Sequence, residues 1–213
     1  MKTDALIERL SDGVAPVGAR AAARTLLTGL GAGALASIAL MIVWLGIRPD
    51  LMQAMGTASY WMKFFYTLLF ALSGLWTLER LSRPGARADT QAFVEALPFV
   101  LLALLAAMQL MSAPTSERMP LMMGGSADVC PWRIAILALP IFAGGFWSLR
   151  KLAPTRPVTA GAAAGLAAGA LGAFIYAFHC TESAMPFVAL WYTFGIAAVG
   201  ILGAVLGRWA LRW

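Results

Sequence analysis

The sequence contains two cysteines, Cys130 and Cys180, and each lies at the edge of a long apolar stretch. The only histidine, His179, precedes the second cysteine, and Asp128 and Glu182 each lie two residues from a cysteine. Thiolate sulfur and imidazole nitrogen are ligands that Zn²⁺ and similar soft ions prefer, and a carboxylate can complete such a site. Two facing thiols can instead form a disulfide bond in an oxidising compartment. These residue types therefore indicate metal or redox chemistry if the fold brings them together.

The spacing of the five residues leaves the kind of chemistry open. The sequence has no C-x-x-C and no H-x-x-x-H pattern, and the missing C-x-x-C weighs against a thiol oxidoreductase. A disulfide bond needs two Cα atoms about 5.5 Å apart, and positions along the chain do not give that distance. A structural disulfide and a soft-metal site at Cys130, Cys180 and His179 both stay open on these residues alone.

The composition indicates that the elements positioning these cysteines are membrane helices. Of 213 residues, 61% are hydrophobic and 12% are charged, whereas a soluble domain carries about a quarter charged residues. A membrane helix needs about 20 mostly apolar residues. Six stretches fit, and the fourth is the shortest. We predict an all-α membrane protein with a segment at 1–25 and a six-helix domain at 26–213, whose spans are 26–47, 60–78, 93–111, 134–149, 158–178 and 187–206.

The basic residues predict the orientation, because short cytoplasmic loops retain Lys and Arg. Twelve of the 16 basic residues fall on one side of the predicted spans: Lys2, Arg9, Arg20, Arg24, Arg80, Arg83, Arg87, Arg150, Lys151, Arg156, Arg208 and Arg212. The other side has Arg48, Arg118 and Arg133. We therefore expect both termini in the cytoplasm and both cysteines outside. The net charge of +6 then reflects topology and contact with anionic lipids, not direct binding of nucleic acid.

Small residues and one lysine stand out within the spans. Gly161, Gly165 and Gly169 recur every four residues, so they share one helix face on which a second helix can approach closely. Lys63 lies near the outer end of the second span, where we expect its ammonium group to extend to the membrane surface. Almost no other ionisable group lies at mid-membrane, which disfavours a transporter.

Residues 1–25 form the only sizeable segment on the predicted cytoplasmic side. Leu6, Ile7 and Leu10 have the spacing of one face of a short helix, which Thr3 or Asp4 could cap. About ten residues are marginal as a helix in water. Such a helix would become ordered by placing its apolar face in the groove of a partner, with Asp4 directed at basic groups. A frayed or membrane-lying tail is the alternative, and composition alone favours it.

Several runs of the sequence together form a pattern that extends over the chain. They are 149–157, the glycine series of the fifth span, 176–180, 186–192, 208–213 and, upstream, Cys130, Pro140 and 3–7. With these runs the chain resembles the six-span anti-sigma factors of the negative-regulator-of-sigma-F (NrsF) type. The resemblance covers the whole chain and is most specific over 149–213. The first loop and residues 112–127 match no part of the pattern.

The resemblance implies a regulatory function at the bacterial inner membrane. Members of this family hold an extracytoplasmic-function sigma factor at the cytoplasmic face and keep it from RNA polymerase. The family's amino-terminal segment corresponds to Asp4, Leu6 and Ile7, with Leu10 on the same face. Its paired cysteines, tied to heavy-metal or redox stress, correspond to Cys130 and Cys180. We expect no constitutive cofactor, a transient heavy-metal ion at most, and no enzymatic activity. A membrane thiol/disulfide oxidoreductase or another small membrane enzyme is the alternative; the oligomeric state stays open.

Overall fold

The computed structural model describes residues 3–12, 18, 20–83 and 89–212, with backbone only at 89–92. All regular elements in these ranges are helical, which confirms the predicted all-α class. They are α1 (Thr3–Ser11), α2 (Ala21–Trp44), α3 (Leu51–Ala54), α4 (Ala58–Leu81), α5 (Asp89–Ser112), α6 (Thr115–Met123), α7 (Cys130–Leu152), α8 (Pro157–Tyr176), α9 (Met185–Phe187), a π-helical turn (Val188–Tyr192) and α10 (Thr193–Ala210).

Within the described part of the chain, five helices are long and apolar enough to cross a membrane. They are Ala21–Trp44, Phe93–Ser112, Cys130–Leu152, Pro157–Tyr176 and Met185–Ala210. The predicted span 60–78 lies in α4, which has 24 residues but is less apolar because it contains Lys63 and several hydroxyl-bearing side chains. Six spans and the N-in/C-in orientation therefore stay predictions.

Helix α7 is longer than the predicted span 134–149. It begins at Cys130 because Pro131 occupies the first turn, where a helix tolerates proline and its fixed φ angle. The helix continues through Pro140 and ends at Leu152, with Ala153 in the left-handed conformation at φ 45°. Arg150 and Lys151 lie in the last turn, where positive charge complements the helix dipole. The longer helix places Cys130 at its very start.

Helix α8 lies at the centre of the bundle and packs against α10, α4 and α7. A Cβ atom added at Gly165 would overlap the carbonyl oxygen of Val199 in α10, and one added at Gly169 would lie 3.0 Å from the Cα of Ile196. Gly161 lies against α10 in the same way, because its added Cβ would lie 2.8 Å from the Cα of Gly207. The three glycines thus let the backbones of α8 and α10 approach closely.

Helices α2 and α7 are tied together along their length. The Ser37 hydroxyl donates to the carbonyl of Leu137 at 2.8 Å, and the Ser148 hydroxyl donates to the carbonyl of Thr25 at 2.8 Å. Between these two hydrogen bonds, a Cβ atom added at Gly29 would overlap the backbone of α7. A hydrogen bond in an apolar surrounding is worth more than the same bond in water. The two helices are therefore expected to move together.

Three connecting segments meet at one end of the bundle. They are residues 45–57, 113–129 and 177–184, and we call this end the cysteine end. Backbone and side-chain hydrogen bonds join the segments to one another and to the start of α7 and α4. The loop 153–156 and the last turn of α10 lie at the opposite end, as the alternating directions of the helices require.

A paired-cysteine site at one end of the bundle

The two cysteines lie side by side at the cysteine end. Cys130 is the first residue of α7, and Cys180 follows α8, where its N–H donates to the carbonyl of Tyr176 at 3.0 Å. Both side chains are buried, with exposed fractions of 0% and 4%. The thiols interact directly and are not joined by a disulfide bond. Helix packing therefore brings together two sulfurs that lie 50 residues apart in the sequence.

Lys63 of α4 reaches into this site, and the expectation that it extends to the membrane surface is wrong. Its side chain is completely buried. The ammonium group donates to the carbonyl oxygens of Cys180 and Glu182, both at 2.7 Å. The turn after α8 directs these carbonyls inward, and a buried cation requires such partners. A charged side chain within a membrane span is unfavourable in free energy unless it has partners. Lys63 could therefore have been recognised as a functional residue from its position in the sequence.

Arg48 fastens a second segment to the same turn. Its backbone N–H donates to the Phe178 carbonyl at 3.0 Å, and its Nη1 donates to the Cys180 carbonyl at 3.1 Å. Asp50 holds the guanidinium in place through contacts at 2.8 and 2.7 Å. This hydrogen bonding raises the pKa of Arg48 and lowers that of Asp50. The carbonyl of Cys180 therefore accepts from two cations, Arg48 and Lys63.

His179 joins α7 to the segment that follows α2. Nη1 of Arg133 lies 3.4 Å from Nε2 of the imidazole, and Nδ1 lies 3.0 Å from the Gly46 carbonyl oxygen. Because a guanidinium only donates, Nε2 accepts and the proton on Nδ1 is donated to Gly46. Gly46 has φ +74°, a conformation that glycine adopts without strain. Both ring nitrogens of His179 are thus engaged by groups other than the two sulfurs.

The two carboxylates near the cysteines have different environments. An oxygen of Glu182 accepts from the N–H of Gly125 at 2.8 Å, whereas Asp128 is exposed. Among the described residues, no group of three His, Cys, Asp or Glu side chains is arranged to hold a metal ion. The site as it stands therefore offers two sulfurs as soft ligands, and His179 and Glu182 would have to leave their present hydrogen bonds to join them.

Two buried tyrosines enclose the thiols. Tyr176, at the end of α8, lies beside Cys130 and Arg133, and Tyr192, at the end of the π-helical turn, lies beside Cys180. Their ring centroids are 5.8 Å apart. The side chain of Tyr192 is fully buried. The two tyrosines therefore reduce the contact of the thiols with water.

The groups around Cys180 favour its thiolate form. The adjoining Cys130 thiol, and after it the ammonium group of Lys63, lower the pKa of Cys180 below the ordinary value, against the opposing effect of burial. A thiolate is the form of cysteine that attacks electrophiles and binds metal ions. The site can therefore react through Cys180 with a metal ion or an oxidant, and Cys130 is next to it as the second sulfur.

A cavity of about 280 Å³ reaches this site from one side. Cys180 lines it together with Arg48, Arg133, Tyr176 and His179, and with residues of the neighbouring segments: Leu45, Ile47, Pro49, Ser126 and Thr181. Cys130 is not part of the wall. Of the two cysteines, Cys180 is therefore the one that borders the cavity.

The second predicted site, in the N-terminal segment, lies on α1. The helix spans Thr3–Ser11, with Asp4 in its first turn. Leu6, Ile7 and Leu10 are 40%, 59% and 69% exposed, and α1 buries none of its residues. An exposed apolar face on a helix of this length is suited to binding in a groove.

Several basic residues on the predicted cytoplasmic side are partly engaged in local contacts. Arg83 pairs with Glu79 on α4. The guanidinium of Arg80 lies 4.6 Å from the centre of the Trp76 ring, and the ammonium of Lys151 lies 3.6 Å from that of Trp147. Arg87 lies outside the described residues. These cation–π contacts leave the charged groups available at the surface.

Comparison with known proteins agrees with the resemblance. The chain matches the family model NrsF, negative regulator of sigma F, over residues 10–213. It is 40% identical over 214 residues to the anti-sigma-F factor NrsF of Caulobacter vibrioides, and 38% identical over 213 residues to the probable anti-sigma-F factor NrsF of Azospira oryzae. Each alignment covers all of both chains. No solved structure matches. The chain belongs to the NrsF family of negative regulators of sigma F.

Proposed function

We propose that this protein is a membrane anti-sigma factor that holds an extracytoplasmic-function sigma factor at the cytoplasmic face of the bacterial inner membrane. Membership of the NrsF family supports a regulatory function over the alternative of a thiol oxidoreductase. The five apolar helices support a membrane location, and α4 would be the sixth span. The excess of basic residues at one end of the bundle supports N-in/C-in orientation.

The exposed apolar face of α1 is the observation that carries the docking proposal. Leu6, Ile7 and Leu10 project from a nine-residue helix with no buried residue. A partner that covers this face would gain on the order of 1.5–3 kcal/mol for each large side chain that is fully buried. The carboxylate of Asp4, in the first turn, would meet basic groups of the sigma factor. The partner thereby stabilises a helix that is marginal alone.

The docking proposal is tested with the full-length protein in membranes. We expect Asp4→Lys combined with Leu6→Ala to release the sigma factor, measured by co-purification and by a reporter gene that the sigma factor transcribes. Ser11→Ala, at the exposed polar end of the same helix, is the matched control and should leave binding intact. Equal amounts of each variant in the membrane fraction exclude loss of the protein as the cause. Continued sequestration by the double variant would place the docking surface elsewhere.

The paired cysteines are proposed as the sensor on the opposite side of the membrane. Two adjacent thiols, one with a lowered pKa, are suited to binding a heavy-metal ion transiently or to forming a disulfide bond under oxidation. His179, Asp128 and Glu182 are the candidates for additional ligands, after rearrangement of the hydrogen bonds that His179 and Glu182 now make. A shift at the sulfurs moves the start of α7 relative to the end of α8.

The closely packed helices would carry this movement to the docking side. Packed interfaces change between discrete arrangements more readily than they deform, and α7 contacts both α8 and α2. Helix α2 follows the N-terminal segment in the chain, and Ser148 of α7 binds its first turns through Thr25. A tenfold loss of sigma-factor affinity requires a coupling free energy of about 1.4 kcal/mol, within the usual range for allosteric proteins.

A further inference from the structure

The cavity beside Cys180 is lined by basic residues. The residues that line it include Arg48, Arg133 and His179, whose side chains carry nitrogen donors or acceptors, and Ser126, Thr181 and Tyr176, whose side chains carry hydroxyl groups. No Asp or Glu belongs to the lining, which consists of described residues only. With about 280 Å³, the cavity has room for a small polyatomic ion together with water, since a water molecule occupies about 30 Å³ in the liquid. The wall therefore has the chemistry of a site for anions.

The positive charge in this cavity comes mainly from Arg133. The charge of Arg48 is balanced by Asp50 through two short contacts. Over the ranges that the structure describes, no carboxylate forms an ion pair with Arg133, whose side chain contacts His179 and Tyr176 instead. A half-buried guanidinium without an anion retains strong attraction for one. Its planar set of N–H donors matches the oxygens of phosphate- and sulfate-like groups.

Ser126 provides a second, independent observation. Its hydroxyl oxygen is buried and has no hydrogen-bond partner among the described residues, although Ser126 lines the cavity. A buried polar atom without a partner is costly, and most such atoms bind water or a ligand. The hydroxyl can donate to an anion that Arg133 attracts. Arg133 and Ser126 thus supply a cation and a free donor from the start of α7 and from the segment before it.

We propose that this cavity binds a tetrahedral oxyanion group, sulfate- or phosphate-like, held by Arg133 and Ser126 next to Cys180. The group is either a free ion from the solution at the cysteine end or the phosphate of a lipid head group. A bound oxyanion would lie beside Cys180, which belongs to the cavity wall, whereas Cys130 does not. This binding is a property of the cysteine end and stands whether or not α1 holds a sigma factor.

Ligand-dependent stability tests the binding site directly. Full-length protein in lipid-free maltoside micelles is heated in sodium sulfate and in sodium chloride at equal ionic strength. Because sulfate is excluded from protein surfaces and stabilises folded proteins in general, we expect a larger rise in Tm in sulfate for the parent protein and for Arg118→Gln than for Arg133→Gln. Arg118 is the matched control because it is an exposed arginine that does not line the cavity. Equal rises in Tm for the parent protein and for Arg133→Gln would argue against a free ion as the ligand.

A lipid arm separates the two sources of the group. The same measurement is made with phosphatidylglycerol added to the micelles in place of sulfate. A rise in Tm that depends on Arg133, with phosphatidylglycerol and without sulfate, identifies a lipid phosphate as the ligand. A rise with both identifies a site that accepts either source. The proposal is overturned if neither addition raises Tm in an Arg133-dependent manner.

Charged thiol reagents provide a readout that does not depend on stability. In a Cys130→Ser background, Cys180 is modified with an anionic and with a cationic methanethiosulfonate, each of which forms a mixed disulfide and releases methanesulfinate. Removing the Arg133 charge should slow the anionic reagent about threefold and accelerate the cationic one about threefold, so the ratio of rates falls about tenfold. Arg133→Lys should retain the ratio.

Sulfate should slow the anionic reagent in the parent background, and no variant is needed for that comparison. An unchanged ratio in a folded Arg133→Gln protein would contradict the proposal.

Discussion

The ammonium group of Lys63 donates to the backbone carbonyl of Cys180 at 2.7 Å, and to that of Glu182 at the same distance. A completely buried cation is therefore held by two carbonyl dipoles, and within the described residues no carboxylate forms an ion pair with it. Its charge remains available to stabilise an anion on the neighbouring sulfur. The contact also fixes the turn that carries Cys180 against α4. One side chain thus contributes to both the position and the ionisation of the second cysteine.

Replacing Lys63 by methionine should move the reactivity of Cys180 to higher pH. The ammonium group favours the thiolate and so lowers the pKa of Cys180, and without it the thiolate forms only at higher pH. The rate of alkylation by iodoacetamide as a function of pH measures this change in the Cys130→Ser background. Lys63→Arg keeps the charge and is the control for it. If both variants had the same profile as the parent, the charge of Lys63 would have no effect on the sulfur.

Replacing Asp50 by asparagine should loosen the connection between the segment after α2 and the turn after α8. Asp50 orients the guanidinium of Arg48, which donates to the carbonyl of Cys180. Without the carboxylate, Arg48 keeps its charge but loses a charged partner. We expect faster hydrogen exchange at the amides of Arg48 and Cys180, measured by mass spectrometry on the protein in micelles. Unchanged exchange at both amides would mean that backbone hydrogen bonds alone hold the segments together.

Replacing Gly165 by alanine should destabilise the bundle by about 1–3 kcal/mol, because the added methyl group overlaps the backbone of α10. Gly31 of α2 has no atom within 4 Å of an added Cβ, so Gly31→Ala is the matched control. That change should leave stability equal or raise it by up to about 1 kcal/mol through helix propensity. Unfolding in mixed micelles with increasing SDS compares the two variants. Equal midpoints would contradict a close contact between α8 and α10.

Replacing both cysteines by serine should separate binding of the sigma factor from its release. Serine retains the size of the side chain but supplies neither a thiolate nor a disulfide bond. We expect the double variant to hold the sigma factor as the parent does and to lose release under cadmium or oxidant, measured with the reporter gene. Retained induction would exclude the cysteine pair as the sensor and would leave the docking proposal unaffected.

Much of the helical framework can be predicted from the sequence. Long apolar stretches indicate five helices that the structure also contains, and the spacing of Leu6, Ile7 and Leu10 indicates the short helix α1. The four-residue spacing of Gly161 and its neighbours gives the face on which α8 contacts α10. These features depend on periodicity along a single helix, which a sequence displays directly.

The connections at the cysteine end could not be predicted in the same way. The position of Lys63 depends on a turn after α8 that directs two carbonyls inward, and residue types do not encode the direction of a carbonyl. The contact of Arg48 with the Cys180 carbonyl joins positions 132 residues apart. Helix α6 also escaped prediction, because Pro114 and Pro120 within a polar stretch suggest a loop. Long-range pairing decided the positions of Lys63 and Arg48.

The cavity wall includes only one of the two cysteines, Cys180, and this imposes an order on reactions that begin from the cavity. A species that arrives through the cavity meets Cys180 first, because Cys130 lies outside the wall. Cys130 can then react or bind only second, after Cys180 has done so. The two cysteines, although adjacent, are therefore not equivalent. Cys180 makes the first contact with an incoming metal ion or oxidant, and Cys130 forms the second bond.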